Sequence, residues 1–219
     1  MNENIKDEVL MAYLNIKQEL KLENDYPVKC DSNSKSPHCD GKTIYIVPQN
    51  EFWNDIYQLS HEMMHLRFDE SKNESLKQYR WFEEIICEAF SIYCLNSYAK
   101  EQHRSWCGYN LENMYLSGNL CKKVNFVSLS ELNDALMGYK TFETRQYVHN
   151  LSLKISKKIM INKKDFEQTW DYSNEIINEN LIIKDIVNDL LKQIDEIDIR
   201  NVPKIFSNYL NVLNLEGEK

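Results

Sequence analysis

His61-Glu62-Met63-Met64-His65 is a stretch whose residue types and spacing could hold a metal ion and activate a water against a carbonyl. In a helix, positions four apart differ by about 40° around the axis, so His61 and His65 face the same way and both imidazoles can reach one zinc at about 2.0–2.1 Å. Glu62 is turned roughly 60–100° from them, poorly placed to ligate the same ion but able to reach a water bound to it. The bland alternative is a surface histidine pair on an amphipathic helix with no ligand.

Downstream, Glu84 and Glu88 stand one turn apart in a segment that is otherwise apolar nearly all round. Burying a bare carboxylate is costly unless something compensates it, and a cation would do so. Two histidines and one glutamate are a common protein ligand set for catalytic zinc, with a fourth position open to water. Pairing of these glutamates with Arg80 or a lysine is the competing explanation.

The elements that must position these groups follow from periodicity. Apolar residues at 52, 56, 59, 63 and 66 make residues 49–68 a helix with one apolar face. Residues 79–98 read as a helix buried on most sides. An amphipathic helix over 3–22 carries Ile5, Val9, Tyr13, Ile16 and Leu20 on one stripe. Between them, Thr43, Ile44, Tyr45, Ile46 and Val47 form a short β-branched run bounded by Gly41 and Pro48, the best strand candidate in the chain. The last third reads as several amphipathic helices. A soft boundary near residue 140 divides a core over 1–140 from a helical region over 141–219. The fold class expected is α+β, predominantly helical, with a small sheet. Only 5 Gly and 4 Pro among 219 residues agree with long helices and few connections.

The formal net charge of -8, without a basic cluster, argues against a nucleic-acid partner. No long apolar run is present, and the polar acidic start lacks the pattern of a signal peptide, so a cytoplasmic protein without a membrane partner is expected. Six cysteines without a C-x-x-C pair are too sparse for a disulfide scaffold. Cys30 and Cys39 flank a polar loop and could pair, or hold an accessory metal with His38. Cys87 could be an inadvertent ligand, but its direction away from Glu84 favours reading it as core.

Taken together, His61-Glu62-x-x-His65 and Glu84-x-x-x-Glu88 resemble the gluzincin zinc metallopeptidases, with an interval between the motifs close to that of thermolysin-like members. The string Glu84-Ile-Ile-Cys-Glu88-Ala-Phe also looks like the third-ligand helix of the lethal-factor type of protease, which has a much longer insertion between its helices. The resemblance spans roughly residues 43–95. It implies a zincin-like core in which His61, His65 and Glu84 bind one Zn²⁺, Glu62 is the general base and Glu88 orients His61. It also implies that Thr43–Val47 is the edge strand that pairs with an extended peptide or protein substrate. Family members usually add a Tyr or His donor for the oxyanion; Tyr79, Tyr93, His103 and Tyr109 are the candidates. The expected function is a zinc-dependent endopeptidase. The alternative, from another class, is a non-catalytic helical interaction or toxin-like module with a structural or vestigial zinc site.

Overall fold

The computed structural model describes residues 5–48, 52–70 and 80–101, with ten positions farther along (148, 149, 151–153, 155, 156, 159, 166 and 167). Six elements occur in these first three stretches: α1 (Asp7–Leu20), β1 (Val28–Cys30), β2 (His38–Cys39), β3 (Ile44–Ile46), α2 (Phe52–Glu70) and α3 (Arg80–Glu101). The fold is therefore mostly helical with a small three-stranded sheet, an α+β arrangement. Contact density divides the chain into two compact units, Met1–Lys72 with Cys87–Ser117, and Asn73–Ile86 with Gly118–Lys219. The division falls inside α3, which is one continuous helix, and not at residue 140.

In the first unit, α1 buries Val9, Tyr13, Ile16 and Leu20, the stripe expected from spacings of three and four. The helix ends in a left-handed residue, Lys21 at φ 53°, whose N–H donates to the Gln18 carbonyl while the Leu22 N–H donates to the Lys17 carbonyl. These paired bonds satisfy the last carbonyls, and Leu22, itself buried, supplies the apolar contact that accompanies such an ending.

The chain that leaves α1 is fastened to the last residue of α2. Glu70 accepts hydrogen bonds from the Glu23 amide (3.1 Å), from the Asn24 amide (3.2 Å) and side-chain nitrogen (2.9 Å), and from the Tyr26 hydroxyl (2.9 Å). Arg67, one turn earlier, lies 3.5 Å from the same carboxylate. Burial alone would push the Glu70 carboxyl up, but the Glu23 amide, the Tyr26 hydroxyl and the Asn24 donors outweigh it and hold it below its usual 4.5.

The sheet order is β1-β3-β2, with β1 parallel and β2 antiparallel to β3. Strand β3 is thus central. The expected strand is present, but its expected edge position is wrong: the two-residue β2 occupies one side and β1 the other. A short turn makes this possible, since the Asp40 carboxylate accepts from the Lys42 and Thr43 amides at 2.8 and 2.7 Å while Gly41 adopts φ 79°. Cys30 pairs with Ile46 on one edge and Cys39 with Ile44 on the other. Two strand spacings, roughly 9–10 Å, separate them, beyond the ~7 Å limit on Cα separation for a disulfide, so a bridge does not fit, and both side chains are thiols.

Ile44 and Ile46 are fully buried, and β3 and β2 both contact α2. The side-chain amide of Gln58 on α2 accepts from the Val47 N–H (2.7 Å) and donates to its carbonyl (3.1 Å), clamping the end of β3 to the helix one turn before His61. Helix α2 is also in contact with α1, and Trp53 and Ile56 pack with Leu95 of α3. It is consequently buried on nearly every side, more than the single apolar face expected, and Ser60 sits in the core by donating to the Ile56 carbonyl of its own helix at 2.8 Å.

Described by itself, the second unit includes the start of α3, where Ile85 and Ile86 are buried. The described residues between 148 and 159 are helical, with Leu151, Ser152, Ile155 and Ile159 buried. Ser152 donates to the Ile85 carbonyl at 3.0 Å. Among the described residues no helix is long and apolar enough to cross a membrane.

Candidate metal centre

Side chains of α2 and α3 meet in the pairs Tyr57 with Glu88 and His65 with Cys87. His61 and His65, one turn apart on α2, turn their Nε2 atoms toward each other at 3.2 Å, with ring planes at 69°. The far nitrogen of each ring meets a side chain of α3. His61 Nδ1 lies 3.8 Å from the Glu88 carboxylate, an ionic distance and too long for a hydrogen bond. His65 Nδ1 lies 3.5 Å from Cys87 Sγ. Glu84 precedes Glu88 by one turn on the same helix, and one of its oxygens joins the histidine nitrogens in a group whose ligand atoms all lie within 4.8 Å of one another.

The donor set fits a four-coordinate cation. Two nitrogens 3.2 Å apart, each about 2.05 Å from an ion, subtend about 100° at it, near the tetrahedral value. A carboxylate as third donor leaves one position open, and the site is dry enough for charge to matter, with His65 9% and Glu84 8% exposed. Two buried carboxylates, Glu62 and Glu84, beside two imidazoles are the arrangement that a divalent cation stabilises.

Glu62 is buried on α2, next to His61 in the chain. The Cys39 thiol of β2 lies within reach of its negative charge. Burial, and then the negative charge of Glu62, push that thiol up to about 12 from its usual 9.0. Glu62 therefore stands beside the edge strand β2, whose outer side is not paired to any strand among the described residues. His38 of the same strand stacks on Tyr45 at 4.7 Å.

The sequence-derived residues thus divide. His61, His65 and Glu84 come together, Glu88 lies beside His61, and Glu62 lies on the adjoining face toward β2. Ile44, Tyr45 and Ile46 form the central strand, flanked by Thr43 and Val47, so the edge position belongs to His38 and Cys39. Tyr93 is not in the centre: it lines a cavity with Ile16 and Glu19 of α1, and nine residues of helix, about 13 Å of rise, separate it from Glu84. Tyr79, His103 and Tyr109 lie outside the described residues.

Three further residues lie near the centre. Tyr57 donates its hydroxyl to Glu88; its spacing, one turn before His61 on the same face, was the available signal. Cys87 was read as core, and it is buried, yet it faces His65 Nδ1. For Cys39 the sequence suggests only a pairing or an accessory metal with Cys30 and His38; strand pairing is what brings it near Glu62. Comparison with family models, with curated proteins and with solved structures finds no match to this chain.

Proposed function

We propose that this chain is a zinc-dependent endopeptidase with a zincin-like core of gluzincin type. The observation that carries the reading is the pair of His61 and His65 Nε2 atoms 3.2 Å apart, with a Glu84 oxygen in a group whose ligand atoms all lie within 4.8 Å of one another. Zinc bound there would supply a Lewis acid for the scissile carbonyl and lower the pKa of a bound water to about 7.

The remaining work falls to side chains. Glu62 takes a proton from the attacking water and returns it to the departing amide nitrogen, a role worth typically 10²–10⁴-fold. Glu88, itself held by Tyr57, faces His61 Nδ1 and favours the tautomer that leaves Nε2 free to ligate. An extended peptide added to the outer side of β2 would run past Glu62, so His38 and Cys39 replace Thr43–Val47 as the substrate-pairing strand.

A structural zinc site in a binding module is the competing reading. It requires a fourth side chain that closes the coordination sphere, and the nearest thiol, Cys87, lies on the Nδ1 side of His65 and not on the Nε2 side. The test is Glu62→Gln in the full chain, with zinc content by mass spectrometry and hydrolysis of a denatured protein substrate. Retained zinc with lost cleavage is the expected outcome; undiminished cleavage overturns the mechanism, and absence of zinc from the wild type overturns the site.

A further inference from the structure

His65 has a second ring nitrogen and a second set of neighbours. Its Nδ1 lies 3.5 Å from Cys87 Sγ. Glu83 stands one turn before Cys87 on α3, and His65, Glu83 and Cys87 offer ligand atoms that all lie within 4.8 Å of one another. With zinc–nitrogen and zinc–sulfur bonds of about 2.05 and 2.3 Å, the Nδ1···Sγ separation subtends about 107° at an ion, again close to tetrahedral.

We propose that His65 Nδ1, Cys87 Sγ and the Glu83 carboxylate form a second metal position, which takes a thiophilic divalent cation and competes with the first position for His65. The thiol sets the preference, since soft sulfur ligands favour zinc, cadmium and similar ions over hard ones. Burial strengthens the interaction, because Cys87 is fully buried and an ion there is shielded from water.

Competition follows from the ring's protons. With a cation on Nε2, Nδ1 carries the ring hydrogen and donates it to Cys87 Sγ. With a cation on Nδ1, the thiol gives up its proton to solvent, and Nε2 carries the ring hydrogen and donates it to His61 Nε2 at 3.2 Å. Each state leaves both ring nitrogens of His65 with a partner. Filling both positions at once would strip both ring hydrogens, so a soft cation at the second position withdraws His65 from the first. The geometry of His65, Cys87 and Glu83 carries this inference independently of whether the chain cleaves peptides.

Titration of the metal-free full chain with cadmium, followed by the ultraviolet thiolate-to-cadmium charge-transfer absorption, tests it. The band is expected in the wild type and in Glu84→Gln, which lacks only the first position, and is expected to be lost in Cys87→Ser. Glu83→Gln, at a partly exposed position, should weaken cadmium binding by about tenfold or more. No band in the wild type, a band that survives Cys87→Ser, or one abolished by Glu84→Gln overturns the proposal. Should Cys87→Ser lose its far-ultraviolet dichroism, Glu83→Gln decides, and an unchanged cadmium affinity in that variant overturns the proposal. Peptide hydrolysis is assayed separately with one equivalent of zinc, so its absence bears on the peptidase reading alone.

Discussion

Tyr57 donates its phenolic hydrogen to Glu88, and that carboxylate faces His61 Nδ1 at 3.8 Å. The tyrosine and the histidine are one turn apart on α2, so a single face of one helix supplies both the proposed ligand ring and the group that holds the ring's own partner. Such outer partners tune a ligand by fixing its tautomer and raising its basicity.

Removing either outer group should therefore weaken metal binding without removing a ligand. Glu88→Gln is expected to lower zinc affinity about 10–100-fold, and Tyr57→Phe by a smaller factor, roughly severalfold, because Glu88 remains. Competition with a chromophoric chelator measures both. Equal loss in the two variants would mean that Glu88 acts only when held by Tyr57; no loss in either would mean that His61 is oriented by the helix alone.

Stability should fall in acid through Glu70. Its carboxyl is held below the usual value of 4.5 in the folded chain, so the stability it contributes is fully present above that value and disappears as pH falls through the lower folded value. Glu70→Gln keeps the shape but exchanges an ionic acceptor for an amide, and should cost about 1–3 kcal/mol at pH 7. In urea unfolding, the gap between variant and wild type is expected to narrow as pH falls below the usual value of 4.5. A gap independent of pH would show that the charge on Glu70 contributes nothing.

Cys39 is partly exposed yet should label slowly. With its thiol pushed up to about 12, the reactive thiolate at pH 8 is scarcer than in an ordinary cysteine by on the order of 10²–10³. Site-resolved mass spectrometry after brief alkylation reads this directly. Glu62→Gln removes the negative charge that follows burial as a cause and should speed the labelling; an unchanged rate would mean that burial acts alone.

Parts of this arrangement were legible before any coordinates. The facing of His61 and His65 is a consequence of helical period, and the continuous apolar character of residues 79–98 announced a helix buried on most sides, as α3 is. The stripe Val9, Tyr13, Ile16 and Leu20 was readable for the same reason, although the helix begins at Asp7 and leaves Ile5 outside it. The strand Ile44–Ile46 was readable from its β-branched composition. Its place in the sheet was not, because β2 is two residues long, too short to show alternation, and exists only by pairing with β3.

The amino-acid sequence by itself determined what depends on local backbone geometry: which side chains share a helix face, and that Glu62 points elsewhere than the two histidines. Tertiary structure alone decided what depends on how elements approach one another. It brought a Glu84 oxygen into one group with the histidine nitrogens, set the Cys87 thiol against His65 Nδ1, moved the sheet edge from Thr43–Val47 to His38 and Cys39, and left Tyr93 in a cavity with Ile16 and Glu19 of α1. The physical reason is the same in each case. A helical repeat is written in residues a few positions apart, whereas contacts between α2, α3 and the sheet join residues tens of positions apart, whose meeting only the packed core specifies.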